Sequence, residues 1–379
     1  MVDSLHPPLE LERLIVHGLA CEWDEACAAL APSVRRQLRR PLFALKEFER
    51  RWGAWSRDHQ EISLSRSLAL THDWGDVRDV LLHEMAHQVA DQALNGLNEP
   101  PHGPAFCTAC EMLGADPRAS GTFPTLRQRV ELAANEDGDR ETRRIRKLLR
   151  LARSPNRHEA EAAMLKAHEL MARHTRGQIE SNAPRQYMSL FAGAPALRHS
   201  RSCYHLAALL RDFYFVMPVW VPAYVVSKGR MGRVLEISGT PKNVQTAWRV
   251  AALIDGVARS EWTPAGIGRG ARFDDFVLGV IEGFRTRLEA AAAVPVGGTK
   301  NVRALQTVED PGLRTYGKRR YGRLVHRSSA PSRIDQRALE AGRRLGRGIV
   351  LSEGGTERIA STARLPQPLP PADRPSSKG

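Results

Sequence analysis

The chain has 379 residues, 42% of them hydrophobic, which predicts two or three domains with buried cores. No apolar run approaches the roughly 20 residues that a membrane-spanning helix needs, and Met1–Leu11 lacks the basic-then-apolar pattern of a signal peptide. The five cysteines are an odd number spread along the chain, which argues against a disulfide framework. We therefore expect a cytoplasmic protein with no membrane contact.

The balance of 56 basic and 42 acidic residues gives a net charge of +14 and a pI near 10.1. Such a charge favours polyanionic partners, nucleic acid among them. Much of the excess lies in residues 296–379, which hold 17 Lys and Arg against 7 Asp and Glu. One interpretation is contact with DNA through basic helices and this C-terminal region, which would associate the protein with the nucleoid. The other is a solvated basic tail.

The first 125 residues mix helical and strand patterns and are predicted to form one domain. Leu11–Leu30 has apolar residues near helical spacing. Three short, partly alternating stretches predict strands: Phe43–Leu45, Trp52–Trp55 and Glu61–Leu70. A further helix is expected from about Gly75 to Leu94, with Asp73 as its cap and an apolar stripe on one face. This domain is therefore α+β.

A charged stretch at residues 131–142 is predicted to be a linker, and a helical hairpin follows at 139–178. Its two helices cover Thr142–Arg153 and Glu159–His174, with Asn156 and Glu159 spaced as a capping box. The first of these helices carries six basic residues, which indicates either phosphate contact or a solvated face.

Residues 183–295 are predicted to form a second α+β domain. Its expected elements are a helix over Tyr204–Phe213, two strands over Phe215–Val226 and Val234–Ser238, and helices after Thr240-Pro241 and over Phe273–Ala292. Residues 296–379 form a basic C-terminal region with a weak helix at Asp335–Arg344 and a short apolar run at Ile349–Leu351. From about residue 364 the chain is rich in Pro and Ser, which predicts disorder.

The helix predicted at about Gly75–Leu94 contains the sequence His83-Glu84-Met85-Ala86-His87. Residues four apart in a helix lie on one face, roughly 5–6 Å apart at Cβ, so both imidazoles can bind one metal ion. Glu84 then lies beside the ion, where a general base must be to take a proton from water at the metal. Zinc suits imidazole ligands. The alternative is an amphipathic helix with two surface histidines.

A catalytic zinc site needs a third protein ligand, and His102 in Pro101-His102-Gly103-Pro104-Ala105-Phe106 is the candidate. Pro104 can open the next helix, which Gly114 would close. Taken alone, His102 is as consistent with an ordinary loop histidine as with a ligand.

The combination of these two segments resembles the SprT-like zinc metallopeptidases, in which an HEMxH helix is followed at this distance by HGPxF. The lead-in Glu61–Ser65 also resembles that family, and the resemblance covers about residues 40–117. It implies a zincin-like domain, with His83, His87 and His102 as zinc ligands and Glu84 as catalytic base. Family members are linked to cleaving proteins attached to DNA. Many carry a C-terminal cysteine-rich zinc ribbon, which is missing here because only Cys203 lies beyond Cys110.

The hairpin at about residues 142–174 resembles a bacterial and phage family known as domain of unknown function 2786, which implies no activity. Two other motifs favour structural interpretations. Cys107-Thr108-Ala109-Cys110 is a lone CxxC without the second pair that a structural zinc would need, so packing is the favoured interpretation. Gly266–Gly270 follows no clear strand and is interpreted as a loop.

The sequence therefore predicts a zinc metalloendopeptidase acting on a protein or peptide substrate, with DNA as a partner of the basic regions. The competing hypothesis is a nucleic-acid-binding protein whose zinc site is only structural. A third possibility is a phage or mobile-element accessory protein that acts by protein contacts.

Overall fold

A computed structural model of the chain describes residues 8–115, 185–263, 272–292, 310–322 and 333–348, with scattered positions between 117 and 181 and residue 324. Its mixture of helices and small sheets confirms the α+β class. We call residues 8–115 the first unit and the remaining described ranges from residue 185 onward the second unit. Among the helices described, none is long and apolar enough to cross a membrane.

The first unit has five helices and a three-stranded sheet. The elements are α1 (Pro8–Ala29), α2 (Pro32–Arg35), β1 (Leu42–Lys46), β2 (Gly53–Ser56), β3 (Glu61–Ser65), α3 (Arg66–Thr71), α4 (Trp74–Ala93) and α5 (Pro104–Leu113). Strand β3 is central, parallel to β1 and antiparallel to β2. Strand β2 is therefore an edge strand of this sheet, and α4 packs against both β2 and β3.

Helix α4 confirms the helix that was predicted from about Gly75 to Leu94. Asp73 occupies its N-cap position, although its side chain makes no capping hydrogen bond. The predicted apolar stripe faces the core of the first unit, because its members are at most 6% exposed: Val77, Val80, Leu81, Met85 and Val89. The packing of this stripe in the core therefore sets the orientation of α4.

The strand predicted over Glu61–Leu70 is only half right. Strand β3 ends at Ser65, and helix α3 begins at Arg66. The Ser65 hydroxyl accepts a hydrogen bond from the backbone N–H of Leu68 at 3.5 Å, as a helix N-cap does. Leu68 is 1% exposed from a helical position. The alternation of apolar and polar residues predicted a strand to Leu70, but the N-cap at Ser65 starts a helix there instead.

The second unit is built on an antiparallel sheet of three strands in the order β4-β6-β5. Its elements are β4 (Met188–Phe191), α6 (Arg201–Phe213), β5 (Met217–Val225), β6 (Arg230–Gly239), α7 (Pro241–Glu261), α8 (Phe273–Ala292), α9 (Pro311–Tyr321) and α10 (Gln336–Gly348). The hairpin β5–β6, the helix after Thr240-Pro241 and the helix over Phe273–Ala292 agree with the sequence-based expectations. Strand β4 and helix α9 were not predicted.

Helix α10 lies unusually close to α8, because glycines on both helices meet opposing backbone. A Cβ atom at Gly342 would lie 2.0 Å from the carbonyl oxygen of Phe276, and one at Gly279 would lie 2.0 Å from that of Leu339. Such distances leave room for hydrogen alone, so the basic C-terminal region contributes a helix to the core of the second unit.

The two units contact each other through a buried carboxylate on α1. Glu22 is 0% exposed and accepts hydrogen bonds from Trp74 Nε1 at 2.8 Å and Arg78 Nε at 2.9 Å, both in the first unit. It also accepts one from the backbone N–H of Tyr224, on β5 of the second unit, at 2.6 Å. A buried charge is tolerated when it is paired in this way, so Glu22 joins α1, α4 and β5.

A second contact between the units comes from Arg320 on α9. Its guanidinium donates to both carboxylate oxygens of Glu236 on β6, at 2.9 and 2.7 Å, and also to the carbonyl oxygen of Gly114, which ends α5. One side chain therefore ties the second sheet to the helix that follows His102.

Several sequence-based predictions fall outside the described residues. These are most of the hairpin at 139–178, the Gly-rich loop at 266–270, the short run at Ile349–Leu351 and the tail from 364. They stay predictions.

Candidate metal centre

The structure brings the three predicted histidines together. One nitrogen from each of His83, His87 and His102 lies within 4.8 Å of the other two, and the ring centroids are 5.0 to 5.4 Å apart. Within the described ranges, this is the one group of three or more side chains that could hold a metal ion.

Helix α4 and the loop after it place these side chains. His83 and His87 are one helical turn apart on the same face of α4. The chain then leaves α4 through Asn95, which adopts a left-handed conformation, and turns back to start α5 at Pro104. The Glu99 carboxylate accepts a hydrogen bond from the backbone N–H of Ala105 at 2.7 Å and thereby caps α5. This loop returns His102 to α4.

Phe106 forms the apolar floor of the cluster. Its ring stacks on His87 with 4.4 Å between centroids, and lies 5.0 Å from the His83 ring and 4.7 Å from the His102 ring. Phe106 itself is 2% exposed. Because its ring contacts all three imidazoles, Phe106 restricts their orientation.

The donor set fits a metal ion that prefers nitrogen ligands. Burial, with a smaller contribution from the nearby His102, lowers the pKa of His87 from 6.5 to about 4. His87 is therefore neutral at physiological pH, which is the form that binds metals. His83 is buried, His87 is half-buried and His102 is exposed, so the cluster is open to solvent on the His102 side.

Glu84 lies beside the cluster and is 7% exposed. Burial raises the pKa of its carboxyl group from 4.5 to about 8, while a backbone hydrogen bond from Trp55 and the positive charge of Arg51 oppose this rise. Its side chain reaches strand β2, because a Cβ atom at Gly53 would lie 2.8 Å from the Cγ and Oε1 atoms of Glu84. Burial is thus the largest influence on the pKa of this carboxyl group.

The histidines and Glu84 line a cleft of about 530 Å³. Strand β2 and the two residues before it form one wall, and the loop Gly96–His102 forms another. The wall at β2 is braced by Asp91 of α4, which accepts hydrogen bonds from the Arg57 guanidinium at 3.0 and 2.5 Å and from Trp55 Nε1 at 3.3 Å. The cleft therefore has an edge strand along one side and the histidine cluster at its base.

Sequence reasoning placed His83, Glu84, His87 and His102 but missed the residues that β2 and its lead-in supply. It could place no arginine near the cluster, whereas Arg51 lines the cleft. The signal for Gly53 was present, because a glycine inside a predicted strand marks close approach by another group. Cys107 is exposed and Cys110 is buried, and neither belongs to the metal-binding group.

Comparisons with protein families agree with the resemblances seen in the sequence. The SprT-like family matches residues 28–126, a range that contains the cluster and Glu84. A family described as protein of unknown function, DUF2786, matches residues 142–175. Neither the curated proteins nor the solved structures yielded a match to this chain.

Proposed function

We propose that the first unit is a zinc-dependent endopeptidase domain of zincin-like architecture. The observation that carries the proposal is the arrangement of three imidazole nitrogens within 4.8 Å of one another, next to a buried carboxylate at the base of an open cleft. The match of residues 28–126 to the SprT-like family supports the same conclusion.

In this proposal His83, His87 and His102 hold the zinc ion. When bound, zinc supplies Lewis acidity, which polarises a peptide carbonyl and lowers the pKa of water to about 7. The Glu84 carboxylate accepts the proton of the attacking water and delivers it to the nitrogen of the leaving amine. His87 stays neutral and Phe106 keeps the three rings in place.

The cleft suits an extended peptide. Strand β2 is an edge of its sheet and lines the cleft from Gly53 to Trp55. A peptide in extended conformation can add to such an edge through main-chain hydrogen bonds, with its side chains alternating between the cleft and solvent. This orientation would bring a peptide carbonyl over the histidines, so we propose protein or peptide segments as the substrate class.

The competing candidate is a nucleic-acid-binding protein whose zinc is structural, and the net charge of +14 is the observation that favours it. Structural zinc sites are closed, with four protein ligands. Here the cluster has three histidines and one of them is exposed, which favours the catalytic interpretation. The two can coexist, because the basic regions can hold DNA while the cleft cleaves an attached protein. We propose such DNA-associated proteins as substrates and, with them, a nucleoid-associated location in the cytoplasm.

Zinc content and hydrolysis test the proposal together. Wild type should bind about one zinc per chain, His102→Ala should bind less, and Glu84→Gln should keep the metal but lose hydrolysis of casein and of a DNA-bound protein. Wild type with zinc content near zero would contradict the site. If Glu84→Gln cleaves as fast as wild type, Glu84 is not the base.

A salt titration of DNA binding decides between the two candidates. If phosphate contacts carry the binding, log K should fall with log salt by about 0.9 for each contact. Salt-sensitive binding by a protein that holds zinc but hydrolyses nothing would favour the structural interpretation.

A further inference from the structure

We propose that Gly53 is a positioning residue for Glu84: strand β2 presents a position without a side chain so that the carboxylate can occupy its working place. This inference rests on the proposed function, because the role of Gly53 in catalysis requires that Glu84 moves the proton.

The first argument is steric. A Cβ atom at Gly53 would lie 2.8 Å from Cγ of Glu84 and 2.8 Å from its Oε1. Side-chain carbons do not approach other heavy atoms that closely, so a methyl group and the present Glu84 side chain exclude each other. A third neighbour, Cγ1 of Val80, would be 3.0 Å away, a distance that a small shift of Val80 can relieve.

The second argument is that the backbone gives no reason for glycine at this position. Gly53 pairs with Leu64 in the regular antiparallel ladder of β2 and β3. It is not among the described glycines with positive φ, so its conformation is open to any residue. Glycine inside a strand is destabilising relative to alanine. The position therefore carries a destabilising residue, and its two shortest Cβ distances are both to Glu84.

The third argument is that Glu84 has few other places to go. It extends from the buried helix α4 and is 7% exposed. A hydrogen bond from the backbone of Trp55, two residues along β2 from Gly53, reaches the same carboxylate. Strand β2 thus acts on Glu84 in two ways. Trp55 donates a hydrogen bond to its carboxylate, and Gly53 leaves space for its side chain. A methyl group at position 53 would push the carboxylate away from Trp55 and from its position beside the histidines.

A double-mutant cycle on stability tests the contact without reference to activity. Gly53→Ala should lower the thermal midpoint in the wild-type background by a few degrees, because the added methyl group and the Glu84 side chain exclude each other. In the Glu84→Ala background the added methyl group meets no carboxylate, so the same substitution should lower the midpoint by less than half as much. Gly348→Ala is a control for the added methyl group, because no atom of the described residues lies within 4 Å of its Cβ.

A second cycle tests the catalytic consequence. Gly53→Ala should leave zinc content and KM unchanged and lower kcat at least about tenfold, since a positioned general base contributes typically 10²–10⁴-fold. Glu84→Gln should leave a small residual rate, since a general base contributes a finite factor. In that background Gly53→Ala should lower the residual rate no further, because both changes remove the same proton transfer.

The outcomes separate the inference from the function on which it rests. Equal losses of stability in the two Glu84 backgrounds would overturn the steric contact, and multiplying losses of kcat would show that Gly53 does not act through Glu84. If the stability cycle shows coupling but wild type hydrolyses no peptide, the proposed function fails, and with it the catalytic role of Gly53, while the contact itself is upheld.

Discussion

Replacing Arg320 by methionine should destabilise the protein strongly, because it leaves a carboxylate buried without its main partner. Arg320 and Glu236 have side chains that are 13% and 3% exposed, and two hydrogen bonds of 2.9 and 2.7 Å join them. Methionine keeps much of the volume of the arginine stem but none of its donors. It also removes the hydrogen bond to the carbonyl oxygen of Gly114.

The magnitude follows from the burial of the pair. Removing one partner of a buried ion pair costs about 3–5 kcal/mol, because the other charge remains unpaired. The charge of Arg78 and a hydrogen bond from Tyr321 also favour the ionised form of Glu236, so we expect the lower end, about 3 kcal/mol. With urea m-values of about 1–3 kcal/mol/M, the midpoint of unfolding should fall by 1 M or more.

The pH dependence gives this prediction its distinctive feature. Burial acts to raise the pKa of Glu236, but Arg320 outweighs it and holds that pKa below 4.5. The ionised carboxylate therefore stabilises the wild type above pH 4.5, and this stabilisation is lost as the pH falls through the folded-state pKa. Without Arg320, burial should raise the pKa. The difference between wild type and variant should thus be largest near pH 7 and should shrink towards pH 4.

Urea unfolding followed at several pH values between 7 and 4 measures both quantities. Arg319→Met is the matched control, because Arg319 is the exposed neighbour on the same helix, and it should change the midpoint little. A loss for Arg320→Met that is no larger than that of the control, or one that is the same at pH 7 and pH 4, would refute the reasoning.

Two further substitutions test how the cores are built. Gly342→Ala should destabilise by about 1–3 kcal/mol through overpacking against the carbonyl oxygen of Phe276, although alanine favours an isolated helix; higher stability in thermal unfolding would contradict the close contact of α8 and α10. Gln88→Leu should cost about 2 kcal/mol or more, because the fully buried Gln88 amide accepts from Trp23 Nε1 at 2.8 Å and donates to the carbonyl oxygen of Arg39 at 2.6 Å. Gln88 faces away from the histidine cluster, so the Gln88→Leu protein should contain as much zinc as wild type by metal analysis. A lower zinc content would show that the packing around Gln88 and the histidine cluster are coupled.

The elements that sequence predicts well here are those in which local and tertiary preferences agree. Helix α4 has a cap, a stripe and a length that all favour the same element, so its expected bounds and the observed Trp74–Ala93 differ by one residue at each end. His102 was assigned through its separation from the HExxH segment, because a single loop histidine carries no local signal.

The elements that escaped prediction depend on contacts made far along the chain. Helix α9 is polar and includes Gly317, where a Cβ atom would lie 2.4 Å from Sδ of Met217 on β5. Its position follows from that close approach and from Arg320, neither of which appears in local periodicity. Gly53 is similar, since its meaning depends on a glutamate in another element.

Helix α5 links the histidine cluster to a remote part of the chain. It begins two residues after His102 and ends at Gly114, whose carbonyl oxygen Arg320 holds. Ten residues at 1.5 Å each span about 15 Å, so this one helix connects the histidine cluster to the contact with Arg320. A fragment cut after residue 125 would contain every proposed ligand yet lose the anchor of this helix. A fragment that contains the three histidines is therefore not enough to hold them as the full chain does, because the contact from Arg320 is missing.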